Sequence, residues 1–207
     1  MVIMPIHNVP PITQRAINAA KPDIIYDDNS TTSPQGGWGG NVVHISDLTS
    51  HPSPNYRTIL IDAQCRCLAR NEHLIIVESD VIVKPDTIAR LLAAVKDDIG
   101  MVAAITEDEN GKTNYPYSEN KRHLSFCCTL ISLSLLRAFD FEQLDSTKNW
   151  FDVTISHKSK ELEFINVLQE DNRVVHYPHQ SRPWKLLKYT NPILYYWRKI
   201  TKRMDKI

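Results

Sequence analysis

The chain has 207 residues, 42% of them hydrophobic and 23% charged, with 24 basic side chains against 24 acidic ones, the composition of an ordinary globular domain with one substantial core. No apolar run is long enough to span a bilayer, and the opening Met1-Val2-Ile3-Met4-Pro5 lacks the charged leader and long apolar region of a signal peptide. The charge is balanced overall but unevenly placed: from Trp184 onward, Lys185, Lys188, Arg198, Lys199, Lys202, Arg203 and Lys206 stand against the single acid Asp205.

Val2 to Ile6 predicts a strand that runs into a polar turn, and Pro11 opens a short helix to about Ala20, because Pro suits the first helical position. Asp23 to Tyr26 predicts a second strand. Its end carries the tight-loop chemistry of Asp27-Asp28-Asn29-Ser30, and a polar stretch with Gly36-Gly37-Trp38-Gly39-Gly40 leads to a third strand at Val42 to Ile45. Ser53-Pro54 reads as a cap plus first helical residue, and Ile59, Leu60, Ala63 and Cys67 keep one helical face apolar up to about Arg70.

Leu74-Ile75-Ile76-Val77 predicts a buried strand that ends in Glu78-Ser79-Asp80. Pro85-Asp86 then starts an amphipathic helix with Ile88, Leu91, Leu92 and Val95 facing inward, and Met101 to Ile105 returns as a strand. The second half is less regular. Phe126 to Ser132 predicts a strand, Ser134 to Phe139 a short helix, Asp152 to about Leu168 a longer helix stopped near Asp171-Asn172, and Arg173 to Tyr177 a last strand. The alternation of strand and helix implies an α/β domain with a mostly parallel central sheet, helices on both faces and a ligand at the strand ends.

The four cysteines, Cys65, Cys67, Cys127 and Cys128, lack the spacing of a structural zinc site and read as reduced core thiols in a cytosolic protein. The acids are more informative. Residues i and i+2 on a strand point the same way, so Glu78 and Asp80 can both reach one divalent cation, which in turn could hold a diphosphate; the alternative is two acids ending a strand in solvent. Of Asp27 and Asp28, one can accept hydrogen bonds from a base N–H or a ribose hydroxyl while the other caps the turn, and the residues leave open which. A purely structural turn is the alternative.

In their order and spacing these pieces resemble the family 2 glycosyltransferases with the GT-A fold, over about Val2 to Ser181. Pro5-Ile6-His7-Asn8 is similar to the opening Pro-x-aromatic-Asn turn of that family, with His7 where Tyr is common. Asp27-Asp28-Asn29-Ser30 is similar to its Asp-Asp-Gly-Ser loop, Glu78-Ser79-Asp80 to its Asp-x-Asp metal motif, and Phe139-Asp140-Phe141-Glu142 to its Phe-Asp-Glu segment. The resemblance implies that Asp80 binds Mg²⁺ or Mn²⁺ bridging the diphosphate of a nucleotide-sugar donor, with Glu78 reaching the metal through water or contacting the ribose. Pro5, His7, Asn8, Asp27, Asp28, Ser30, Glu78 and Ser79 would then line the nucleotide. Asp152 falls at the position of the catalytic base, with helix capping as its alternative role. Of the two histidines near the last strand, His179 is the better placed as a metal ligand and His176 the second choice, with Arg182 a phosphate partner. The Gly-rich loop around Trp38 would close over the donor, or be an ordinary mobile connection.

The expected activity is that of an inverting, metal-dependent hexosyltransferase acting on a glycan or lipid-linked acceptor in surface polysaccharide assembly. Residues 1–183 would form the transferase domain and 184–207 a helical tail in which Trp, Tyr and Leu alternate with Lys and Arg. Such a tail suits peripheral contact with an anionic membrane at the cytoplasmic face, or packs its aromatics on the body. Nucleic acid is not an expected partner, because no recognition motif accompanies the basic residues. Two rivals remain at this point. A nucleotidyltransferase on a related sheet would carry a Gly-rich loop with a basic residue after the first strand, where this chain has His7-Asn8-Val9-Pro10-Pro11; a non-catalytic nucleotide-binding or partner-binding subunit would keep the fold without turnover.

Overall fold

The computed structural model describes residues 1–8, 11–34, 37–113, 123–148, 150–177 and 187–202. In chain order they form β1 (Val2–Ile6), α1 (Pro11–Ala20), β2 (Ile24–Asp27), β3 (Val42–His44), α2 (Tyr56–Arg70), β4 (Leu74–Val77), β5 (Val81–Ile82), α3 (Thr87–Ala93) and β6 (Ile99–Glu107). There follow β7 (Cys128–Ile131), α4 (Leu133–Ala138), α5 (Phe151–Glu161), β8 (Ile165–His176), α6 (Leu187–Thr190) and α7 (Pro192–Lys202).

One sheet contains all the strands, in the order β3-β2-β1-β4-β7-β6-β8-β5. The pairings β1–β2, β1–β4, β2–β3 and β6–β8 are parallel, whereas β7 lies antiparallel between β4 and β6 and β5 antiparallel at the edge. Being antiparallel to both neighbours, β7 leaves β4 and β6 pointing the same way. The C-terminal ends of β1, β2, β4, β6 and β8 and the beginning of β7 therefore all meet at one edge.

The two faces can be read from the strand period of two. Ile3, Ile24, Tyr26, Leu74, Ile76, Met101 and Ala103 pack with Leu60 and Ala63 of α2, Leu135 of α4 and Ile155 of α5. Their neighbours Met4, Ile25, Ile75, Val77, Val102 and Ala104 face the other way, onto Ala16 and Ile17 of α1 and Leu91 of α3. Helices thus cover both faces, as expected for a sheet with buried hydrophobic runs.

Several local expectations are corrected. The helix that begins near Asp152 stops at Glu161; the chain turns through Glu163 at φ 65° and residues from Ile165 onward pair with β6 as strand. Glu170-Asp171-Asn172 is not a stop but a bulge within β8, where the register to β6 slips between Ala104 and Ile105. Ser53-Pro54 precedes α2 instead of starting it, because Ser53 gives its hydroxyl to Asp28 at 2.8–2.9 Å and the helix begins at Tyr56. Leu92 is exposed, leaving Leu91 and Thr87 as the buried residues of α3. Cys65 is exposed, while Cys67, Cys127 and Cys128 are buried; all four are free thiols.

Gly100 shows how closely α5 is pressed onto the sheet. A Cβ at that position would lie 2.1 Å from Ser159 Oγ and 2.7 Å from Phe164 Cβ, closer than real atoms approach, so only glycine lets β6 pass beneath the end of α5.

Candidate active site

The strand order fixes where a ligand can sit. From β1 the chain steps outward through β2 and β3, then crosses back to β4 on the other side of β1, which makes the β1–β4 junction the topological switch point of the sheet. Pairing there covers only Val2 and Ile3; two residues on, Pro5 has no N–H to extend it. His7 and Asn8 follow β1 at this opening, and Glu78, Ser79 and Asp80 follow β4.

The loop after β1 is tied to the loop after β2. Asn8, at φ 63°, accepts from Thr31 N and Oγ1 at 3.1 and 2.8 Å and donates its own N–H to Ser30 Oγ at 2.8 Å. His7 Nδ1 lies 2.6 Å from the Asp28 carbonyl oxygen. Asp27 and Asp28 are both buried, with different duties. The Asp28 carboxylate accepts from Ser53 Oγ, Asn55 N and Asn55 Nδ2 at 2.8–2.9 Å, and so anchors the entry to α2. Asp27 Oδ1 closes the turn by accepting from Ser30 N at 2.9 Å, whereas among the described residues its Oδ2 has only the Trp38 indole N–H at 3.4 Å and His44 Nδ1 at 3.6 Å. Trp38 is 5% exposed, so its indole belongs to the core against Asp27 and not to an open lid.

After β4 the chain leaves the strand immediately: Val81 N donates to Glu78 O at 3.1 Å, closing a turn over Glu78 to Val81. The i, i+2 rule of a strand no longer applies, and the two acids take different neighbours. Glu78 Oε2 is 3.6 Å from Cys127 Sγ, while Asp80 Oδ1 is 3.5 Å from His176 Nε2. Cys127 arrives because β7 is antiparallel: its first residue, Cys128, pairs with Val77, the last of β4, and Glu78 N donates to Cys127 O at 3.0 Å. His176 arrives because the bulge in β8 carries Arg173 to Val175 on alongside Ile105 to Glu107, so that His176 pairs with Val81 and Tyr177 N donates to Asp80 O at 2.8 Å. Ser125 Oγ, 3.1 Å away, donates to Cys127 Sγ. Burial, and then the Glu78 carboxylate, push the Cys127 thiol well above the ordinary range.

Asp152 reaches the same region from below. A helix that feeds a parallel strand begins at the C-terminal edge of the sheet, and Asp152 is in the first turn of α5. The Tyr56 ring stacks at 6.1 Å on Phe126 and at 6.4 Å on Phe151, fixing that turn against α2. The segment resembling Phe-Asp-Glu is a structural clamp: Gln64 donates to the Leu136 and Phe139 carbonyls at 2.8 and 2.7 Å and accepts from Phe141 N at 2.8 Å, and Asp140 caps its own turn. Asp152 Oδ1 accepts from Val153 N at 2.8 Å. Burial raises its carboxyl above the usual aspartate range, partly offset by that bond and by the charge of the neighbouring His123. His123 in turn lines, with Thr106, Ser125 and Cys127, a small cavity; among the described residues the buried Thr106 hydroxyl has no hydrogen-bond partner. Asp152 thus feels the charge of His123, which shares a cavity lining with Cys127, and Cys127 in turn neighbours Glu78 and His176.

The approach of Cys127 to Glu78 was not legible in the sequence, since nothing there marks β7 as antiparallel to β4; His176, the second choice as a metal ligand, stands in the same candidate cluster. His179 and Arg182 lie outside the described residues. Among the described residues, an oxygen of Glu78, the imidazole of His176 and the thiol of Cys127 make a donor set that could hold a divalent cation, with Asp80 beside the imidazole, although sulfur is foreign to the oxygen shell that Mg²⁺ takes.

Comparisons with known proteins agree with this architecture. No protein-family model matches the chain, and no curated protein does. Among solved structures, it is similar to a mannosyltransferase from Pyrobaculum calidifontis in complex with GDP-Man and Mn²⁺ (TM-score 0.62, 13% identity, 96% of this chain and 63% of that one). It is also similar to glucosyl-3-phosphoglycerate synthase from Mycobacterium tuberculosis in complex with Mn²⁺ and UDP-glucose (0.56, 15%, 90% and 77%) and to residues 1–349 of TarS from S. aureus (0.59, 14%, 91% and 63%). The chain thus spans just under two thirds of the first and third of these proteins. At such identities the likeness is one of fold: this is a single α/β domain with a GT-A-like sheet.

Proposed function

We propose that the protein is an inverting glycosyltransferase that moves a sugar from a nucleotide-diphosphate donor to a hydroxyl of a glycan or lipid-linked acceptor in surface polysaccharide assembly, at the cytoplasmic face of a membrane. What supports this reading is the grouping of Glu78 and His176, with Asp80 beside His176, at the C-terminal edge of a GT-A-like sheet, the edge at which α5 begins with Asp152 in its first turn. A fold alone hosts many chemistries, but acids and an imidazole at that edge suit a nucleotide diphosphate.

In this reading His7, Asn8 and Ser30 shape the nucleotide pocket below Pro5, and Asp27 is its polar contact, because Asp28 is committed to Asn55 while Asp27 Oδ2 holds only long contacts. The turn at Glu78 and Ser79 faces the ribose and diphosphate. A divalent cation, when bound at Glu78 and His176 with Asp80 beside the imidazole, would offset the charge that develops on the departing diphosphate. Asp152 removes the proton of the acceptor hydroxyl as its oxygen attacks the anomeric carbon from the side opposite the diphosphate, which inverts the configuration. Its desolvated carboxylate is a stronger base than an exposed one. The exposed face of α7 would hold the domain on an anionic membrane surface, next to a lipid-linked acceptor.

The test is Asp152→Asn. Transfer and donor hydrolysis should fall by about 10²- to 10⁴-fold, the usual contribution of a general base, with nucleotide binding retained; unchanged turnover would remove Asp152 from the mechanism.

A further inference from the structure

The cluster at the end of β4 has a different composition from the one that the spacing of Glu78 and Asp80 suggests. Ligand atoms of Glu78, Cys127 and His176 all lie within 4.8 Å of one another. His176 divides its two ring nitrogens between two neighbours: Nδ1 is 3.9 Å from Cys127 Sγ, and Nε2 is 3.5 Å from Asp80 Oδ1. One nitrogen thus turns toward the Glu78–Cys127 pair and the other toward a carboxylate behind the ring, the arrangement in which an acid orients a metal-bound imidazole. The backbone locks this division in place. The turn from Glu78 to Val81 separates the acids, and Tyr177 N to Asp80 O holds that turn on β8.

One carboxylate oxygen, one thiolate and one imidazole make a mixed set of the kind that zinc and its borderline relatives take, with a fourth position open to an oxygen from solvent or substrate. Mg²⁺ prefers an all-oxygen octahedron, and Mn²⁺ stands at the weak end of the divalent series for nitrogen and sulfur donors.

We propose that Glu78, Cys127 and His176 Nδ1 form a three-ligand site for a zinc-class cation, and that Asp80 is a positioning residue which holds His176 through Nε2 instead of binding the metal. Binding forms a cation–sulfur bond as the Cys127 thiol proton leaves to solvent, with no change of oxidation state. The proposal concerns the same strand-end site as the transferase reading and deepens it by naming the cation.

The experiment is a Co²⁺ titration of the nucleotide-free full chain carrying Cys65→Ser, which removes the one exposed thiol among the four. The expected result is a thiolate-to-cobalt charge-transfer band that equimolar Zn²⁺ abolishes and a large excess of Mg²⁺ or Mn²⁺ does not. Adding Cys127→Ser should remove the band and weaken Zn²⁺ binding at least roughly tenfold, whereas Asp80→Asn should keep the band and lower affinity by about 10- to 100-fold, as loss of an outer partner does. Co²⁺ bound without the band, displacement by Mn²⁺, a band that survives Cys127→Ser, or loss of all binding in Asp80→Asn would each overturn the proposal. The Cys65→Ser parent decides the matter if a further variant does not fold. With no nucleotide present, failure here is read separately from failure of the transferase reading.

Discussion

Asp152 is the residue at which stability and chemistry pull in opposite directions. Burial raises its carboxyl above the unfolded value, so at neutral pH the folded state carries the carboxylate at a cost in stability. That cost is present above the raised value, shrinks as pH falls through it and is gone below the ordinary aspartate range. Asp152→Asn removes the charge while keeping an oxygen for Val153 N–H. The variant should therefore melt higher than the parent at pH 7, with the gain fading as pH falls toward about 4. A lower melting temperature at pH 7 would mean that the carboxylate is held by a favourable partner and is not a strained base. Asp28 makes the contrast: more deeply buried, it is used entirely as a structural acceptor for Ser53 and Asn55. Which of the adjacent acids had which duty depended on Ser53 and Asn55, more than twenty residues away, and no local pattern carries that information.

At the level of elements, runs whose burial follows a simple period were legible. β1, β2, β4 and α2 stand within a residue or two of where their apolar spacing puts them, the N-terminus of α2 apart. β8 was not, because its half-buried sequence Ile165–His176 contains Glu170-Asp171-Asn172, which reads as a breaker. Tertiary contacts hold that bulge: Asn172 Nδ2 donates to the Thr87 carbonyl at 3.2 Å, and Arg90 pairs with Asp171. The bulge sets where His176 ends up, opposite Val81. The other element with a consequence is α7. Ile193, Tyr196, Trp197 and Ile200, at i, i+3, i+4 and i+7, form one exposed stripe, with Ile193 85% and Ile200 77% exposed. No helix among the described residues is long and apolar enough to cross a membrane, so the stripe suits a helix that lies on a surface. Replacing Ile193 and Trp197 by Glu should abolish co-sedimentation with vesicles rich in anionic lipid and leave donor hydrolysis in solution unchanged. Equal sedimentation of parent and variant would remove α7 from membrane contact.

For the whole molecule, the C-terminal edge of the sheet is where the candidate site residues gather. Strand-end acids could be seen in the sequence because they follow buried runs, and their assembly could not, because it depends on β7 entering antiparallel between β4 and β6. That reversal brings Cys127 to Glu78 and leaves the ends of β1, β2, β4 and β8 on one side, with Asp152 arriving there on α5. The central claim is that this edge binds a nucleotide-diphosphate sugar. It is tested most directly by thermal unfolding of the full chain against a panel of nucleotide sugars with a divalent cation present. One donor should stabilise the protein by about 2.7 kcal/mol at a hundred times its dissociation constant, and Glu78→Gln combined with Asp80→Asn should remove that gain. No shift with any donor, or the same shift in the double variant, would contradict it.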